Sequence, residues 1–288
     1  MQILAKNLRY VYSQKSKALA TSALNGVNLT IKEGEFFGIV GKTGSGKSTF
    51  IQHLNGLIVP QKNSGELVVG EFNLCDKNCD FFALRKKVGM VFQYPEHQLF
   101  AETVEQDVAY ALKNFMPDLA PEEVKNKVKN ALTLVGLDYE KIKNKSPFEL
   151  SGGQKRRVAI AGVLISEPEV LLLDEPVVGL DPIGKKEFIA LLKKVHKTFV
   201  KTIIIISHDM DLIAENCTSL AVFYQGEVVK SGTPKEIFLD KDLISRTELE
   251  LPLTATLTLA LSQKTQFNPK DLTVSAFIDE YEKIREEK

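Results

Sequence analysis

The fold class is decided by residues 36–48, which read Phe36-Phe37-Gly38-Ile39-Val40-Gly41-Lys42-Thr43-Gly44-Ser45-Gly46-Lys47-Ser48. The first five residues predict a buried strand, and the last eight fit the pattern G-x-x-x-x-G-K-[ST]. In this pattern, glycines let backbone N–H groups converge on phosphate oxygens at the N-terminus of a helix, whose dipole favours negative charge. We therefore predict a phosphate-binding loop (P-loop) over residues 41–48, followed by a helix over residues 49–56.

The P-loop predicts how a nucleoside triphosphate and its magnesium ion are held. We expect Lys47 to reach the β- and γ-phosphates and the Ser48 hydroxyl to ligate Mg²⁺. The nucleotide-binding residues predicted from this stretch are Gly41, Lys42, Thr43, Gly44, Ser45, Gly46, Lys47, Ser48 and Thr49.

A second apolar run ends in two carboxylates. Residues 170–173 are Val-Leu-Leu-Leu and predict a buried strand, which Asp174 and Glu175 follow directly. In open α/β sheets, ligands bind at the carboxyl ends of the strands. We expect Asp174 to hold Mg²⁺ through water and Glu175 to act as the general base that polarises an attacking water.

The composition restricts the classes of partner. The chain has 288 residues with 37 basic and 37 acidic side chains, so no net charge attracts it to nucleic acid or anionic lipid. The basic run Lys155-Arg156-Arg157 is interpreted as a solvated helix face. No stretch approaches the roughly 20 apolar residues that cross a bilayer, and no signal peptide is evident. Any role at a membrane is therefore expected to be peripheral.

The three cysteines predict neither a disulfide framework nor a metal site. Cys75, Cys79 and Cys217 are odd in number and lack a second pair at metal-ligand spacing. We interpret them as reduced cytosolic thiols.

Strand and helix patterns alternate up to about residue 230, which predicts an α/β fold. A strand over residues 202–207 follows a helical stripe that ends at Val195, and another helix is expected between Pro121 and Gly136. Residues 220–224 and 227–230, separated by Gln225-Gly226, predict a hairpin.

The pattern changes after residue 235. Pro252 is expected to start a short helix with Leu253, Leu257 and Leu261 on one face. After a break at Asn268-Pro269, a second helical stripe follows, made of Val274, Phe277, Ile278, Tyr281 and Ile284. These apolar faces predict either packing on the main domain or contact with a partner subunit.

With the P-loop and the acidic pair, the pentapeptide Leu150-Ser151-Gly152-Gly153-Gln154 makes the chain resemble an ATP-binding cassette (ABC) nucleotide-binding domain. The resemblance implies an α/β P-loop NTPase fold with a RecA-like core, an antiparallel β subdomain and a helical signature subdomain over about residues 93–168. It covers an ABC ATPase domain at residues 1–235. Residues 236–288 would form a small C-terminal helical appendage, expected to be a dimer contact.

The same resemblance implies site residues beyond the P-loop. Leu150, Ser151, Gly152, Gly153 and Gln154 match the signature motif, which in the family reaches the γ-phosphate held by the opposite subunit. Gln93 matches the glutamine that approaches Mg²⁺ and the attacking water, Asp181 lies in the D-loop, and His208 matches the switch histidine that contacts the γ-phosphate. Tyr12 is similar to the aromatic residue that stacks on adenine, with Tyr10 as the competitor.

A narrower resemblance involves the segments around Gln93 and the signature. Residues 92–100, 146–149 and 158–164, together with the appendage, are similar to the ATPases of energy-coupling factor (ECF) transporters, and most similar to their second, A′-type subunit. This implies ATP hydrolysis with Mg²⁺, coupled to uptake of vitamins or metal ions. The implied partners are a related ATPase in a heterodimer, a transmembrane coupling protein and membrane substrate-binding proteins, with this chain peripheral on the cytoplasmic face of the cell membrane.

Three alternatives stay open at this point. An ABC ATPase of DNA repair would place long coiled coils between the P-loop and the signature, but Ser48 and Ser151 are only about 100 residues apart. A translation factor of the ABC type usually carries two cassettes in one chain. The ATPase of an importer with an extracytoplasmic binding protein differs only around Gln93 and in the appendage. One departure from the family pattern, Val177-Val178 before Gly179, affects interface packing but removes no catalytic group.

Overall fold

The computed structural model describes residues 1–12, 21–263 and 265–286. The chain forms two compact units. One contains residues 2–77 and 204–288 and is called the P-loop unit; the other contains residues 78–203 together with Met1 and is called the signature unit.

The strands, in chain order, are β1 (Ile3–Tyr12), β2 (Thr21–Ile31), β3 (Phe36–Val40), β4 (Glu66–Val69), β5 (Phe72–Asn73), β6 (Val88–Val91), β7 (Val170–Asp174), β8 (Thr202–Ile206), β9 (Ser219–Tyr224) and β10 (Glu227–Gly232). The helices are α1 (Lys47–Leu54), α2 (Phe81–Lys87), α3 (Val104–Phe115), α4 (Pro121–Leu134), α5 (Tyr139–Ile142), α6 (Gly152–Leu164), α7 (Pro182–His196), α8 (Met210–Asn216), α9 (Pro234–Phe238), α10 (Lys241–Thr247), α11 (Leu253–Ser262) and α12 (Val274–Glu286). Short 3-10 turns occupy Pro95–Gln98 and Pro147–Glu149.

The P-loop unit contains two groups of paired strands. An antiparallel sheet has the strand order β2-β1-β4-β5. In the second group β3 pairs in parallel with β9, and β9 pairs in antiparallel fashion with β10. Every residue of β3 is buried, as its apolar run predicts, so the P-loop begins at the end of a fully covered strand.

The signature unit combines a parallel strand pair with a helical cluster. Strands β6 and β7 pair in the register Val88↔Val170 to Val91↔Leu173, and all residues of β7 are buried. Helices α3, α4 and α6 pack against one another. Their core includes fully buried aliphatic side chains, among them Val108, Leu112, Val128, Leu132 and Val158.

Several local predictions are confirmed. Helix α4 begins at Pro121, where a missing N–H costs nothing, and Gly136 just beyond it has φ 75°. The hairpin turn at Gln225-Gly226 has φ 51° and 83°, the left-handed pair that a two-residue turn between twisted strands requires. Helix α11 does start at Leu253, with Pro252 as its N-cap residue.

The appendage exposes much of its predicted apolar faces. In α11 the buried side chains are Thr254, Ala255 and Thr258, whereas Leu253 is 62% and Leu257 is 40% exposed. In α12 the stripe is similarly open, and the half-exposed side chains are Val274, Ile278 and Tyr281. Packing within this chain therefore leaves most of both stripes exposed.

The predicted domain limits remain predictions. The segment expected to be the helical subdomain, about residues 93–168, falls within the signature unit. Residues 236–288 belong to the P-loop unit.

Candidate functional site

The P-loop joins β3 to α1, and its lysine is folded back over the loop. Lys47 is the first residue of α1, is 6% exposed, and donates from Nζ to the carbonyl oxygens of Gly41 at 2.7 Å and Lys42 at 3.0 Å. The ammonium group is thus held at the helix N-terminus, where an anion is favoured by the dipole.

Two P-loop glycines are required by the surrounding chain. Gly41 has φ 140°, and a Cβ built there would lie 2.1 Å from the carbonyl oxygen of Phe223. Gly46, the N-cap of α1, has φ 103°, and its Cβ would lie 2.4 Å from the carbonyl oxygen of Ala23. Any other residue at either position would combine backbone strain with a clash against main chain.

The two candidate adenine-stacking tyrosines differ in exposure. Tyr12 is 40% exposed, and its hydroxyl lies 3.2 Å from Thr49 Oγ1. Tyr10 is half-buried and makes edge-to-face contacts with Tyr12 and with the buried ring of His53, at centroid distances of 4.9 and 4.7 Å. Burial lowers the pKa of His53, which favours a neutral ring there. Only Tyr12 offers an exposed ring, which favours it over Tyr10 for stacking on a base.

His208 lies in a turn fixed by its two neighbours. The backbone N–H of Asp209 donates to Ser207 Oγ at 3.0 Å, and the Asp209 carboxylate accepts from the N–H of Leu212 at 3.0 Å as the N-cap of α8. Ser207 is buried and His208 is exposed. The histidine is therefore presented to solvent from the start of α8, in the same unit as the P-loop.

The signature residues form the exposed N-terminus of α6. Ser151 Oγ accepts from the N–H of Gln154 at 3.4 Å, and Gln154 Oε1 accepts from the N–H of Ser151 at 3.1 Å, which is a capping box. Leu150 is buried and anchors the segment.

The two signature glycines face open space. A Cβ at Gly152 or Gly153 would meet no atom within 4 Å, in contrast to Gly41 and Gly46 of the P-loop. Gly153 also lines a cleft of about 730 Å³ in the signature unit, together with Asp181 of the predicted D-loop. Asp181 caps α7 by accepting from the N–H of Gly184 at 2.6 Å. The structure thus brings the signature and the D-loop to one cleft.

The acidic pair lies at the end of β7. Asp174 and Glu175 are each 8% exposed. Glu175 has φ 49°, a left-handed conformation that is unusual for a residue with a side chain and that occurs preferentially at functional sites.

Arg156 corrects the interpretation of the basic run as a solvated face. Its side chain is only 7% exposed, and its guanidinium donates to the carbonyl oxygens of Pro176 and, at 3.0 Å, of Val178. Both carbonyls lie in the segment directly after Glu175. Burial lowers the pKa of Arg156, the desolvation being opposed by the nearby charge of Glu96. Arg157, by contrast, is partly exposed and pairs with Glu187 at 2.5 Å.

Gln93 follows β6 and is exposed, and several aromatic side chains of the signature unit are exposed as well. Tyr94, Phe100 and Tyr110 are 45%, 60% and 52% exposed, and the rings of Phe100 and Tyr110 meet edge to face at 4.9 Å. Phe100 and Tyr110 thus form an exposed aromatic pair, and exposed apolar area of this kind is typical of protein-contact surfaces.

The predicted magnesium ligands Ser48 and Asp174 lie one in each unit. Within the described residues, no group of three or more histidine, cysteine or carboxylate side chains could hold a metal ion. The side chains of Ser48 and Asp174 each carry a hard oxygen, the kind of ligand that Mg²⁺ takes from a protein beside substrate phosphates.

Sequence reasoning missed three acidic residues that contact distant segments. Glu248 Oε2 lies 2.5 Å from Nζ of Lys42 in the P-loop, while Asp211 and Glu215 of α8 accept hydrogen bonds from the backbone of the appendage. The partners are separated by 206, 42 and 59 positions along the chain. No local pattern could have indicated these pairs, because each depends on tertiary placement.

The family model described as ABC transporter matches residues 24–178. The chain is 47% identical to the energy-coupling factor transporter ATP-binding protein EcfA2 of Clostridium tetani, over 92% of this chain and 90% of the relative. It is 48% identical to the EcfA2 protein of Clostridioides difficile, with the same two coverages.

Solved structures agree with the fold. The cbiO1 protein of Clostridium perfringens, part of the ABC transporter complex cbiONQ, matches with TM-score 0.71 and 39% identity over 88% of this chain and 97% of that one. The cassette MJ0796, solved as a dimer in a post-hydrolysis state with ADP and Pi, matches with TM-score 0.71 and 31% identity over 81% of this chain and 98% of that one. These matches confirm the predicted α/β cassette fold, and the chain belongs to the ABC transporter family, in its branch of energy-coupling factor transporter ATP-binding proteins.

Proposed function

We propose that this chain is the ATP-hydrolysing subunit of an ECF-type importer, in which it couples ATP hydrolysis to the uptake of vitamins or metal ions. The observation that carries the proposal is the contrast between its glycines. Gly41 and Gly46 are enclosed by this chain, whereas Gly152 and Gly153 face open space at an exposed helix N-terminus. The chain thus has two P-loop glycines enclosed by its own residues and one exposed pair of glycines, Gly152 and Gly153, available to another molecule.

ATP binds at the P-loop in this proposal. Lys47 exchanges its two carbonyl partners for the β- and γ-phosphates, and the backbone N–H groups of residues 41–49 surround the phosphate oxygens. The base stacks on the exposed ring of Tyr12, which its hydrogen bond to Thr49 ties to α1. Mg²⁺, when bound, neutralises charge that develops on the phosphates.

Hydrolysis needs a polarised water and a sensor of the γ-phosphate. Glu175 is the general base, Gln93 orients the water, and His208 contacts the γ-phosphate, while Asp174 and Ser48 would hold the metal ion. The left-handed conformation of Glu175 fixes the direction in which its carboxylate leaves β7.

The signature acts on a second subunit's ATP. The N-terminus of α6 carries partial positive charge, and the absence of side chains at Gly152 and Gly153 lets a phosphate approach the backbone. Asp181 lies at the same cleft and would cross to the partner as the D-loop. We propose that the partner is a related ATPase, which makes the active form a heterodimer.

The transmembrane coupling protein would dock beside Gln93. The exposed rings of Tyr94, Phe100 and Tyr110 supply apolar area for one of its helices. In the described residues, no helix is long and apolar enough to cross a bilayer. We propose that the coupling protein holds this chain at the cytoplasmic face of the membrane and that separate membrane substrate-binding proteins select the cargo.

A Glu175→Gln variant tests the catalytic assignment. In the assembled transporter, ATP binding should be kept while the hydrolysis rate falls about 100-fold, because the variant loses the general base but keeps the shape of the side chain. Single-turnover release of phosphate from radiolabelled ATP measures the rate. An unchanged rate would remove Glu175 from the reaction or assign all chemistry to the other composite site.

Purification in mild detergent tests the assembly. An affinity-tagged chain should bring down a second ATPase and a small integral-membrane protein, identified by mass spectrometry. As a control, substituting Phe100 and Tyr110 by Ser should release the membrane protein and keep the second ATPase. Recovery of an extracytoplasmic binding protein instead would contradict the ECF assignment.

A further inference from the structure

Helix α8 connects the candidate switch histidine to the C-terminal appendage. It begins two residues after His208, and its buried side chains include Leu212 and Ile213. The opposite face presents Asp211 and Glu215, which are exposed and one helical turn apart. Neither carboxylate belongs to the ATP site, and each accepts a hydrogen bond from a distant helix.

Asp211 caps helix α11. Its Oδ1 accepts from the backbone N–H of Leu253, the first residue of that helix, at 2.7 Å. The N-cap residue of α11 is Pro252, which has no side chain able to make this bond. The Asp211 side chain of α8 therefore caps helix α11 in place of a side chain at the helix's own N-cap position.

Glu215 contacts the N-terminus of helix α12, where Thr273 also caps by accepting from the N–H of Ala276. Glu215 Oε2 accepts from the N–H of Val274, the first residue of α12, at 2.9 Å. The positive ends of two helix dipoles thus converge on two carboxylates of one short helix. A third contact, between Glu248 and Lys42 at 2.5 Å, joins the segment before α11 to the P-loop. The appendage is consequently attached to the switch helix and to the phosphate loop of its own chain.

From these contacts we infer that the C-terminal appendage positions His208 for hydrolysis, with Asp211 and Glu215 as the positioning residues. The backbone on either side of His208 is held by the hydrogen bond between Asp209 and Ser207 and by Asp209 as the N-cap of α8. A displacement of α8 therefore displaces the histidine, and α11 and α12 restrain α8. The inference rests on the proposed role of His208 at the γ-phosphate.

The test uses an Asp211→Ala, Glu215→Ala double variant in the assembled transporter. Both sites are exposed and helical, where alanine is well tolerated. The kcat for ATP hydrolysis should fall about fivefold while KM for ATP changes little, because the loss concerns transition-state contacts rather than nucleotide binding. An Asp211→Asn, Glu215→Gln variant keeps an acceptor oxygen at each position and should restore most of the rate.

A His208→Ala background separates positioning from general damage. If the carboxylates act through the histidine, the double variant should produce no further loss in that background. An equal loss with and without His208, or an unchanged kcat, would overturn the inference while leaving the proposed function standing. If His208→Ala alone keeps the full rate, the proposed role of the histidine fails, and the inference fails with it.

The matched control removes two exposed carboxylates that lie in the appendage itself. An Asp279→Ala, Glu282→Ala variant changes the charge of α12 by the same amount without touching either cap. It should leave kcat and KM unchanged. If this control lowers kcat as much as the cap variant, charge rather than positioning is the cause, and the inference is overturned.

Discussion

The P-loop and the signature are both glycine-containing turns at the start of a helix, yet their glycines serve different purposes. Gly41 and Gly46 have positive φ and lie against carbonyl oxygens of the same chain, so the fold itself demands glycine. Gly152 and Gly153 have no neighbour within 4 Å of a built Cβ. Two P-loop glycines are thus enclosed by their own chain, whereas the signature glycines form an open surface that we propose a second subunit completes. This difference predicts that substituting a signature glycine will impair catalysis and leave folding intact. Substituting an enclosed P-loop glycine is predicted to impair both.

Gly152→Asp should separate the effect on catalysis from the effect on folding most strongly. An acidic residue in the first turn of α6 interacts favourably with the helix dipole, so the thermal midpoint of this chain should be unchanged or slightly higher. A carboxylate facing another subunit's γ-phosphate would repel it, and hydrolysis at that P-loop should fall about 100-fold or more, the scale of losing an oxyanion-binding group.

Mixed dimers carrying Gly152→Asp on one subunit measure this effect. Nucleotide bound at this chain's own P-loop should be unaffected, as judged by binding of a fluorescent ATP analogue. Loss of ATP binding at the P-loop of the mutated chain would contradict the assignment of the signature to the partner's nucleotide.

Gly41→Ala should damage folding and binding together. The added methyl group would meet the carbonyl oxygen of Phe223 at 2.1 Å in a conformation unfavourable for alanine, and the cost should be roughly 2 kcal/mol of unfolding free energy. Urea unfolding measures the stability, and the same preparation should bind ATP weakly. Gly153→Ala is the matched control, because a methyl group there meets nothing in this chain and alanine favours a helix, so the urea midpoint should be unchanged or slightly higher. A Gly41→Ala protein as stable as wild type would refute the contrast between the two sites.

The same contrast explains what could be predicted from the sequence. Residues 36–48 and 170–175 combine a buried strand with the turn that follows it, so short-range spacing determined both elements and their chemistry. The family confirms the cassette fold that the signature pentapeptide implied. These features are local, because the strand and the turn that follows it are adjacent in the sequence.

Long-range placement could not be predicted in this way. Arg156 has the same chemistry as Arg157 beside it, and only the packing of α6 reveals that one is buried against Pro176 and the other pairs with Glu187 at the surface. The apolar stripes of α11 and α12 predicted a covered face, but the buried side of α11 includes threonines whose hydroxyls bond to carbonyls. Helical periodicity identifies a stripe without saying which element covers it.

Arg156 and Arg157 provide a test within one helix. Arg156→Lys keeps the charge but cannot reach two carbonyls with a fork of donors, so the segment after Glu175 loses its support. We expect about a tenfold fall in kcat with little change in KM for ATP, since the general base would be misplaced by a fraction of an ångström. Arg157→Lys, at a partly exposed ion pair, should change kcat by less than about twofold. Steady-state hydrolysis by the assembled transporter compares them, and equal effects would show that Arg156 does not position Glu175.

The smallest predicted effect concerns Glu248, an acidic side chain of the appendage that contacts the P-loop. Glu248 pairs with Lys42, and this side-chain hydrogen bond and the lysine charge hold the pKa of the glutamate below its usual value. The ion pair is therefore complete at neutral pH and is lost only as the pH falls through that lowered pKa.

Glu248→Gln removes a negative charge from the approach to the phosphates, so ATP should bind about twofold more tightly, with the gain shrinking as salt screens the exposed pair. Titration with a fluorescent ATP analogue at low and high salt measures this, and Glu250→Gln, two residues further along the chain, is the control for net charge. If Glu248→Gln instead weakens ATP binding, the ordering of the P-loop by the ion pair outweighs the repulsion between Glu248 and the nucleotide. The appendage would then be part of the structure that completes the P-loop from within its own chain.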